Sequence, residues 1–321
     1  MNARAVFHVA PRRVELRDVE LPAVSKRDVR VRVEVSGLSA GTERLIFNGQ
    51  LEPGEPLDTS LEGMQGGLQY PLRYGYCAVG VVEEIGADVS PSLRGKRVFA
   101  FAPHQSQLVL DADAVIVLPE VDAAAATLLA NLETAVSLVM DGAPLLGEVS
   151  GVVGLGVVGA LVASILSRLS LGPVLALEPR ADRRAFSEVE ALSSPRRGAC
   201  DVVFELSGKH AGLAAALELA RDDGRIIAGS WYGPEAQPLA LGTRVHRARQ
   251  RIQFSQVSRI DAALAGRFDK SRRMQVALEW LQKLELTKFV THRFPAERAA
   301  EAFDALLNPP EGSLHTVLTW P

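Results

Sequence analysis

The sequence contains only two cysteines, Cys77 and Cys200, and they are not arranged in a Cys-x-x-Cys spacing. A disulfide framework and a structural zinc site built on cysteines are therefore excluded, and a reducing compartment, the cytoplasm, is expected. An excess of one charge is also lacking, since 35 Lys and Arg face 38 Asp and Glu. This balance gives no reason to expect a nucleic acid as partner. The N-terminal residues lack the apolar region of an export signal.

A long uncharged stretch, residues 149–166 ("VSGVVGLGVVGALVASIL"), raises the question of a membrane span. Its first eleven residues contain four glycines, each of which would cost a helix about 1 kcal/mol relative to alanine. Aromatic anchors are missing from its flanks, and the pattern changes midway from a β-branched run to helical spacing. The stretch is therefore predicted to form a strand, a turn and a helix, and no membrane partner is expected.

The turn between the predicted strand and helix contains a G-x-G-x-x-G motif at Gly154, Gly156 and Gly159. The first glycine permits a tight turn, the second lets a pyrophosphate approach the backbone, and the third lets the helix pack closely on the strand. Such a motif alone is also typical of glycines needed only for packing. Here a second apolar strand follows, Val174–Leu177, and it ends in Glu178, where an acid would accept hydrogen bonds from the adenosine ribose. The context predicts a dinucleotide site.

The choice between NAD and NADP depends on charges beside Glu178. Its carboxylate would repel a 2′-phosphate, which favours NAD. Arg180, Arg183 and Arg184 weaken this preference, because an arginine nearby can receive the phosphate. NAD is the predicted cofactor, with NADP as the alternative.

The segments around the glycine motif indicate two domains. After it, strands alternate with helices, which predicts a parallel sheet covered on both faces. The helix "HAGLAAALELARDDG" is predicted to end at Gly224, and the short segment 180–198 leaves room only for a trimmed helix. The N-terminal segment consists of short alternating strands separated by glycine and proline turns, typical of an antiparallel barrel or sandwich. A strand, helix, turn and strand are predicted for the last residues.

This organisation resembles the medium-chain dehydrogenase/reductase superfamily over essentially the whole chain. The segments "SGLSAGTERLIFNG", "YPLRYGYCAVGVVEEIG" and "SWYG" are most similar to a zinc-less branch that includes the 3-hydroxyethyl bacteriochlorophyllide dehydrogenases. The resemblance implies an α/β fold: a Rossmann doubly wound parallel sheet at residues 119–281 and a GroES-like β-barrel domain at 1–118 and 282–321. It also implies an active site between the domains and a homodimer paired through the sheet edge at 251–258.

The chain departs from the zinc-dependent members of this family at the metal ligands. The first ligand position falls on Ser39 or Ala40, and the histidine position is occupied by Tyr76. The third falls near Ala130 and Asn131. Since zinc binds thiolate, imidazole or carboxylate groups, a catalytic metal is not expected. Three residues are the remaining candidate ligands: Glu43, Glu133 and Cys77.

Four residues are candidates for the catalytic chemistry. The resemblance places Thr42 at the hydroxyl that relays the alcohol proton. Tyr76 either fills the empty zinc pocket or acts as acid/base with a pKa lowered by a bound nicotinamide cation. His104 is either a proton shuttle or a turn histidine. Glu43 replaces an aspartate that is usually structural.

Further residues are assigned to ligands by position. Tyr74, Asn131 and Trp231 are candidate walls of the substrate site, although aromatic residues in such places more often serve packing. The residues assigned to cofactor binding are Gly154, Gly156, Val157, Val158, Gly159, Glu178, Arg183, Thr134, Ser207 and Gly229.

The predicted function is a zinc-independent oxidoreductase that transfers hydride between a nicotinamide cofactor and a secondary alcohol or ketone. An enoyl or quinone reductase is the first alternative, because zinc-less members of this superfamily commonly reduce C=C bonds. A dinucleotide-binding protein without catalysis is the second, since these functions share one fold.

Overall fold

The structure, a computed structural model, describes residues 2–50, 69–232 and 238–321. The chain divides into two compact units. Unit 1 consists of Met1–Ala130 and Glu285–Pro321, and unit 2 of Asn131–Leu284. Both divisions fall later in the chain than the boundaries expected from the sequence.

The secondary structure alternates between the two units. The strands are, in chain order, β1 (Asn2–Ala10), β2 (Arg13–Glu20), β3 (Asp28–Leu38), β4 (Ala78–Ile85), β5 (Arg97–Ala100), β6 (Gln107–Asp111), β7 (Val115–Val117), β8 (Ser150–Val153), β9 (Val174–Leu177), β10 (Glu190–Leu192), β11 (Cys200–Glu205), β12 (Ala220–Ala228), β13 (Arg251–Phe254), β14 (Val290–Pro295) and β15 (His315–Thr319). The helices are α1 (Thr42–Asn48), α2 (Ala123–Ala126), α3 (Leu129–Gly142), α4 (Val157–Leu169), α5 (Ala181–Arg184), α6 (His210–Leu219), α7 (Lys270–Lys283) and α8 (Ala299–Leu307).

Unit 1 is built around two β-sheets. Strands β1 and β2 form an antiparallel hairpin, and a larger sheet has the order β14-β15-β3-β4-β5-β7, with β6 also paired to β3. In the central strand β3, Val29, Val31 and Val33 are fully buried while the residues between them are partly exposed, as expected when successive side chains point to opposite faces. These valines share a core with Phe303 of α8. The predicted β domain is confirmed, and its strands pair antiparallel except for β14 and β15, which are parallel.

Unit 2 contains a six-stranded parallel sheet in the order β10-β9-β8-β11-β12-β13. Counted from β8, this is the order 3-2-1-4-5-6 of the Rossmann fold, and the strand order reverses between β8 and β11. All four residues of β8 are buried, which fits a central strand covered on both faces. The predicted α/β class with a doubly wound parallel sheet is confirmed.

The uncharged stretch forms β8, the glycine turn and α4, as predicted. Within the described ranges, no helix is both long and apolar enough to cross a membrane. The trimmed helix after β9 is also present, as the four residues of α5. The three-residue strand β10 that follows was not predicted, because so short a segment has no periodicity to detect.

The predicted end of the helix at Gly224 is wrong. Helix α6 ends at Leu219, and β12 begins at Ala220. Ala220 is fully buried and pairs with Cys200 at the start of β11. Because of this pairing, residues with good helix propensity adopt a strand conformation. The exposed residues that follow include Asp223, which has a left-handed conformation with φ 58°.

Candidate functional site

The glycine turn between β8 and α4 is shaped by close backbone contacts. Gly154 has φ 91°, and a Cβ at this position would lie 2.7 Å from Cα of Ser207. A Cβ on Gly159 would lie 1.8 Å from the carbonyl oxygen of Gly154. Both positions therefore require glycine, the first for the turn and the second for the approach of α4 to the strand. Ser207 follows β11, so the turn packs on the loop of the neighbouring strand.

The middle glycine of the turn instead has free space beside its Cα. A Cβ on Gly156 would meet only Nη1 of Arg183, at 4.0 Å. Gly156 is also the N-cap of α4 and supplies no side-chain hydrogen bond to the first helical residues, Val157 and Val158. The N–H groups at the start of a helix attract anions when they are not capped. An open glycine, a helix N-terminus and a guanidinium at one place fit the diphosphate of a dinucleotide.

Glu178 stabilises this turn through hydrogen bonds to the backbone. Its side chain is 5% exposed, and Oε2 accepts a hydrogen bond from the backbone N–H of Leu155 at 2.8 Å. Oε1 accepts from the N–H of Arg180 at 3.0 Å. The predicted contact with the ribose would use the lone pairs that remain on these oxygens. Besides this contact, Glu178 links the glycine turn to the end of β9.

Two of the three arginines beside Glu178 bind acceptors of their own segment. Arg180 pairs with Asp182, and Nη1 of Arg184 donates to the carbonyl oxygens of Glu178 and Pro179, both at 2.8 Å. Arg183 is the arginine that reaches toward Gly156.

The loop after β11 is organised by a residue that the sequence analysis missed. Glu205 is fully buried, and its Oε1 accepts from the N–H of Ser207 at 2.9 Å and from its hydroxyl at 2.5 Å. Oε2 accepts from the hydroxyl of Tyr232. Its backbone oxygen accepts from the N–H of Gly229 at 3.0 Å. The available signal was an acid directly after the apolar run "VVF" at the end of the strand.

The remaining cofactor and substrate candidates have different surroundings. Thr134 is half-buried on α3, Asn131 is 9% exposed one turn earlier, and Trp231 is 48% exposed beyond β12. A Cβ on Gly229 would lie 2.7 Å from Leu138, so this glycine serves packing. Tyr74 is only 2% exposed. Its ring packs beside Ile46 and Tyr76, and its role as a substrate wall stays a prediction.

Unit 1 brings together the hydroxyl groups predicted for catalysis. Ser39 follows β3, Thr42 opens α1, and Tyr76 lies just before β4. The Tyr76 hydroxyl donates to Oγ of Ser39 at 2.5 Å, and a hydrogen bond with the Thr42 side chain also acts on the phenol. Thr42 and Tyr76 are half-buried as whole residues.

The protonation predicted for Tyr76 needs correction. Burial raises the pKa of the Tyr76 phenol, and the neighbouring Cys77 and Glu43 act in the same direction. The hydrogen bonds that link the Tyr76 hydroxyl to Ser39 and Thr42 act against this rise without cancelling it. In this structure the phenol is therefore a hydrogen-bond donor that keeps its proton, not a base with a lowered pKa.

A fully buried network lies behind these hydroxyls. The Trp320 indole donates to Oγ of Ser36 at 3.0 Å, and Ser36 is 2.8 Å from Nδ1 of His104. Nε2 of His104 is 2.8 Å from Oε2 of Glu43, and Oε1 of Glu43 accepts from the N–H of Ser39 at 2.8 Å. The side chains of His104 and Glu43 are both 0% exposed.

The burial of His104 contradicts the alternative of a surface histidine, and its role as a proton shuttle stays a prediction. His104 and Glu43 fix the backbone of Ser39 and the start of α1. They are positioning residues, and the hydroxyls of Ser39, Thr42 and Tyr76 are the groups that they support. The pairing of His104 with Glu43 joins residues far apart in the chain, which is why no local pattern revealed it.

Glu133, a candidate zinc ligand, forms a buried ion pair with an arginine of unit 2. Its Oε1 accepts from Nε and Nη2 of Arg273 at 3.1 and 2.9 Å. Arg273 is 1% exposed and also donates to Ser137 and to the carbonyl oxygens of Val257 and Arg259. This buried ion pair joins α3 and α7 to the segment that follows β13.

The residues at the family's zinc positions do not fit the metal. The hydroxyls of Ser39 and Tyr76 hydrogen-bond each other, and Glu43 is bound to His104. Burial raises the pKa of the Cys77 thiol well above its usual value, which opposes the thiolate that zinc binds. Across the described ranges, no three His, Cys, Asp or Glu side chains are grouped to hold a metal ion.

Similarity to known proteins extends over the full chain. No family model matches the sequence. The chain is 25% identical to 2-desacetyl-2-hydroxyethyl bacteriochlorophyllide A dehydrogenase of Cereibacter sphaeroides over 353 aligned positions, which cover 100% of this chain and 99% of that protein. It is also 25% identical to D-guloside 3-dehydrogenase of Escherichia coli over 281 positions, 77% of this chain and 79% of that one.

Solved structures of dehydrogenases share the fold. An alcohol dehydrogenase of Escherichia coli complexed with NADH superposes with a TM-score of 0.78 at 17% identity, covering 99% of each chain. A zinc-binding dehydrogenase of Sinorhizobium meliloti bound to NADP superposes with a TM-score of 0.76 at 18% identity, again over 99% of each chain. A nicotinamide dinucleotide is the cofactor that these relationships support. The chain is therefore an oxidoreductase that is similar over its full length to dehydrogenases of the medium-chain type and shares their fold.

Proposed function

We propose that the protein is a zinc-independent dehydrogenase that transfers hydride between NAD and a secondary alcohol or ketone. The observation that carries the proposal is the hydroxyl cluster of Ser39, Thr42 and Tyr76, backed by the buried pair of Glu43 and His104. These groups stand at the positions where zinc-dependent relatives place the metal and its proton relay. The sequence relatives support an alcohol substrate, since their names describe a hydroxyethyl compound and a guloside.

The cofactor, when bound, accepts or donates a hydride at C4 of its nicotinamide ring. Gly156, the start of α4 and Arg183 would hold its diphosphate. Glu178 would hold the adenosine ribose while keeping the turn in shape through Leu155. The protein thus supplies binding and orientation, which are the main contributions of an enzyme in this chemistry.

The hydroxyl cluster would polarise the substrate oxygen. A phenol whose pKa is raised stays protonated. When a ketone is bound, Tyr76 can turn its single O–H from Ser39 to the ketone oxygen and draw electrons from the carbon that accepts the hydride. As the substrate carbon accepts hydride, the substrate oxygen takes up the proton of the Tyr76 hydroxyl, and the phenolate that remains regains a proton from water. Alcohol oxidation follows the same steps in reverse, with the phenolate, formed by loss of a proton to water, as the base. Ser39 and Thr42 orient the phenol and connect it to further hydroxyl groups.

Zinc independence is supported by the chemistry of the side chains. Two hydroxyls stand where thiolate and imidazole ligands are needed, and the carboxylates of Glu43 and Glu133 already bind His104 and Arg273. A metal at this place would have to break buried hydrogen bonds, each worth about 1.5–3 kcal/mol when one partner is charged.

We predict that NAD(H) binds more tightly than NADP(H) by on the order of tenfold, which corresponds to about 1.4 kcal/mol of repulsion between Glu178 and a 2′-phosphate. Arg180 and Arg184 are committed to other acceptors, which supports this preference. Titration of both reduced cofactors by fluorescence measures it. Glu178→Ala is expected to reduce the ratio of the two affinities. Glu190→Ala, which removes a carboxylate at the start of β10 that binds Arg196, serves as control and should leave the ratio unchanged. A wild type that prefers NADP(H) would contradict the assignment.

The reaction type is tested by substrate panels. Purified protein is incubated with NADH and either ketones or enones, and the oxidation of NADH is followed by absorbance. We expect turnover with ketones and with the corresponding secondary alcohols in the reverse direction. Turnover with enones alone would identify a C=C reductase, and tight NADH binding with neither substrate would indicate a protein without catalysis.

We further propose a homodimer that forms through β13. This strand is the last in the sheet of unit 2, and all four of its residues are exposed, with Phe254 at 67% and Ile252 at 37%. An exposed edge strand with apolar side chains offers backbone groups for pairing with a second copy. Sedimentation velocity tests the assembly, and a monomer at micromolar concentration would contradict it.

A cytoplasmic location is proposed from the cysteines. Cys77 and Cys200 are both free and buried. Free thiols in the core are typical of proteins that fold in a reducing compartment. Cell fractionation would contradict the proposal if the protein were found outside the cytoplasm.

A further inference from the structure

The Rossmann sheet of unit 2 is composed of two halves, each suited to one mononucleotide. Strands β8, β9 and β10 form the first half, which carries the glycine turn and Glu178 and so belongs to adenosine. Strands β11, β12 and β13 form the second half, which is left for the nicotinamide mononucleotide. Glu205 is the last residue of β11, at the carboxyl edge where the strand order reverses.

The carboxylate of Glu205 is buried without a positive partner. Its three hydrogen-bond donors are the N–H and hydroxyl of Ser207 and the hydroxyl of Tyr232, all of them neutral groups. Among the residues that the structure describes, no lysine or arginine forms an ion pair with it. The side chain is 0% exposed, so water and salt screen its negative charge far less than that of a surface carboxylate.

The neighbouring backbone makes room for this charge. A Cβ on Gly212 would lie 2.6 Å from Oε1 of Glu205 and 1.9 Å from Oγ of Ser207. Helix α6 therefore approaches the carboxylate through a glycine. The loop that Glu205 organises packs on Gly154 of the glycine turn, which places the charge beside the path of the dinucleotide.

We propose that Glu205 makes the site favour the oxidised cofactor, in which the nicotinamide ring is a cation, over the reduced cofactor, in which it is neutral. The inference rests on the proposed dinucleotide binding and adds an electrostatic role for one residue. An uncompensated negative charge in a poorly screened place attracts a nearby cation and leaves a neutral ring unaffected. Glu205 also shapes the loop, but a purely structural role would change the affinity for both forms together.

The test compares dissociation constants of NAD⁺ and NADH for the wild type and for Glu205→Gln, measured by calorimetry and fluorescence without substrate. The glutamine keeps an oxygen for the two donors of Ser207, and its amide can donate to the Tyr232 hydroxyl. We expect the ratio of the NAD⁺ constant to the NADH constant to rise by on the order of tenfold, equivalent to about 1.4 kcal/mol.

Asp201→Asn is the matched control. Asp201 lies near the start of the same strand, at the opposite edge of the sheet, and binds the N–H of Val149 and Arg221. The substitution removes an equal charge, and we expect the ratio to stay within about twofold of the wild type. Tyr232→Phe retains the carboxylate and removes one donor, so it should also leave the ratio unchanged.

The measured ratios of dissociation constants either support or overturn the proposed role of Glu205. An unchanged ratio in Glu205→Gln, or an equal loss of affinity for both forms, would overturn it while leaving dinucleotide binding intact. A wild type that binds neither form would overturn the proposed function as well. If Glu205→Gln does not fold, the double variant Glu205→Met with Tyr232→Phe replaces charge and partner by apolar groups, a change that buried sites tolerate better. The same rise in the ratio is expected there, and its absence would overturn the inference.

Discussion

Replacing Tyr76 with phenylalanine is expected to lower kcat by about 10²–10³, the usual effect of losing one preorganised hydrogen-bond donor at a reacting oxygen. The substitution keeps the ring and its contact with Tyr74, and removes only the hydroxyl that donates to Ser39. Thr42→Val, which keeps the shape of the side chain, is also expected to lower kcat. Steady-state kinetics on both variants measure the effect.

The control for this prediction is Tyr70→Phe. The Tyr70 hydroxyl donates to the carbonyl oxygen of Ile46 at 2.5 Å, so the variant loses a phenol hydrogen bond of unit 1 that lies away from Ser39. Its kcat should remain within about twofold of the wild type. If Tyr76→Phe and Thr42→Val also remain within about twofold, the hydroxyl cluster is structural and the proposed mechanism is wrong. Circular dichroism and cofactor affinity would show that the variants remain folded.

The second large effect expected is a loss of stability in mild acid. His8 is fully buried between Phe47 and Phe303, and neither of its ring nitrogens has a hydrogen-bond partner within the described residues. Burial, with a smaller contribution from His104, lowers the pKa of His8 from 6.5 to about 3. Burial lowers the pKa of His315 to about 3 as well.

The sign of the effect follows from proton binding. Between pH 6.5 and about 3, the unfolded chain binds protons at both histidines while the folded chain does not. The stability that the neutral histidines contribute is therefore complete above pH 6.5 and is lost as the pH falls toward 3. Each histidine adds up to about 1.4 kcal/mol of unfolding free energy lost per pH unit.

Urea unfolding at a series of pH values tests this prediction. His8→Phe keeps an aromatic ring beside Phe47 and Phe303, and should reduce the slope of stability against pH by about 1.4 kcal/mol per unit. Phe303→Leu is the control, because it weakens the same core while both histidines stay in place. It should lower the stability at every pH without changing the slope. Equal slopes for the wild type and His8→Phe would contradict the account.

The sequence was sufficient for features that depend on neighbouring residues. The glycine turn, the strand that ends at Glu178 and the helix α4 follow from local patterns of glycine, β-branched residues and hydrophobic spacing. The resemblance to a known family added the division of the chain into two units, the first of which includes the last segment of the chain. The proximity of Thr42 and Tyr76 was expected from family motifs and is present in the structure.

Features that depend on distant contacts were not predictable. Glu43 and His104 meet only because β3, α1 and the segment after β5 converge in unit 1. Likewise, the end of α6 is decided by the pairing of Ala220 with Cys200, against the helix propensity of its own segment. The protonation of Tyr76 was misjudged because burial raises its pKa and sequence does not show burial.

The central claim is that hydroxyl groups, and not a metal, support hydride transfer in this chain. The most direct test is the rate of NADH oxidation with a ketone substrate before and after dialysis against EDTA, with elemental analysis of both samples. We predict no stoichiometric zinc in either sample and an unchanged rate after dialysis. About one zinc per chain in the purified protein, lost together with the activity on dialysis and restored with it when zinc is added, would contradict the account.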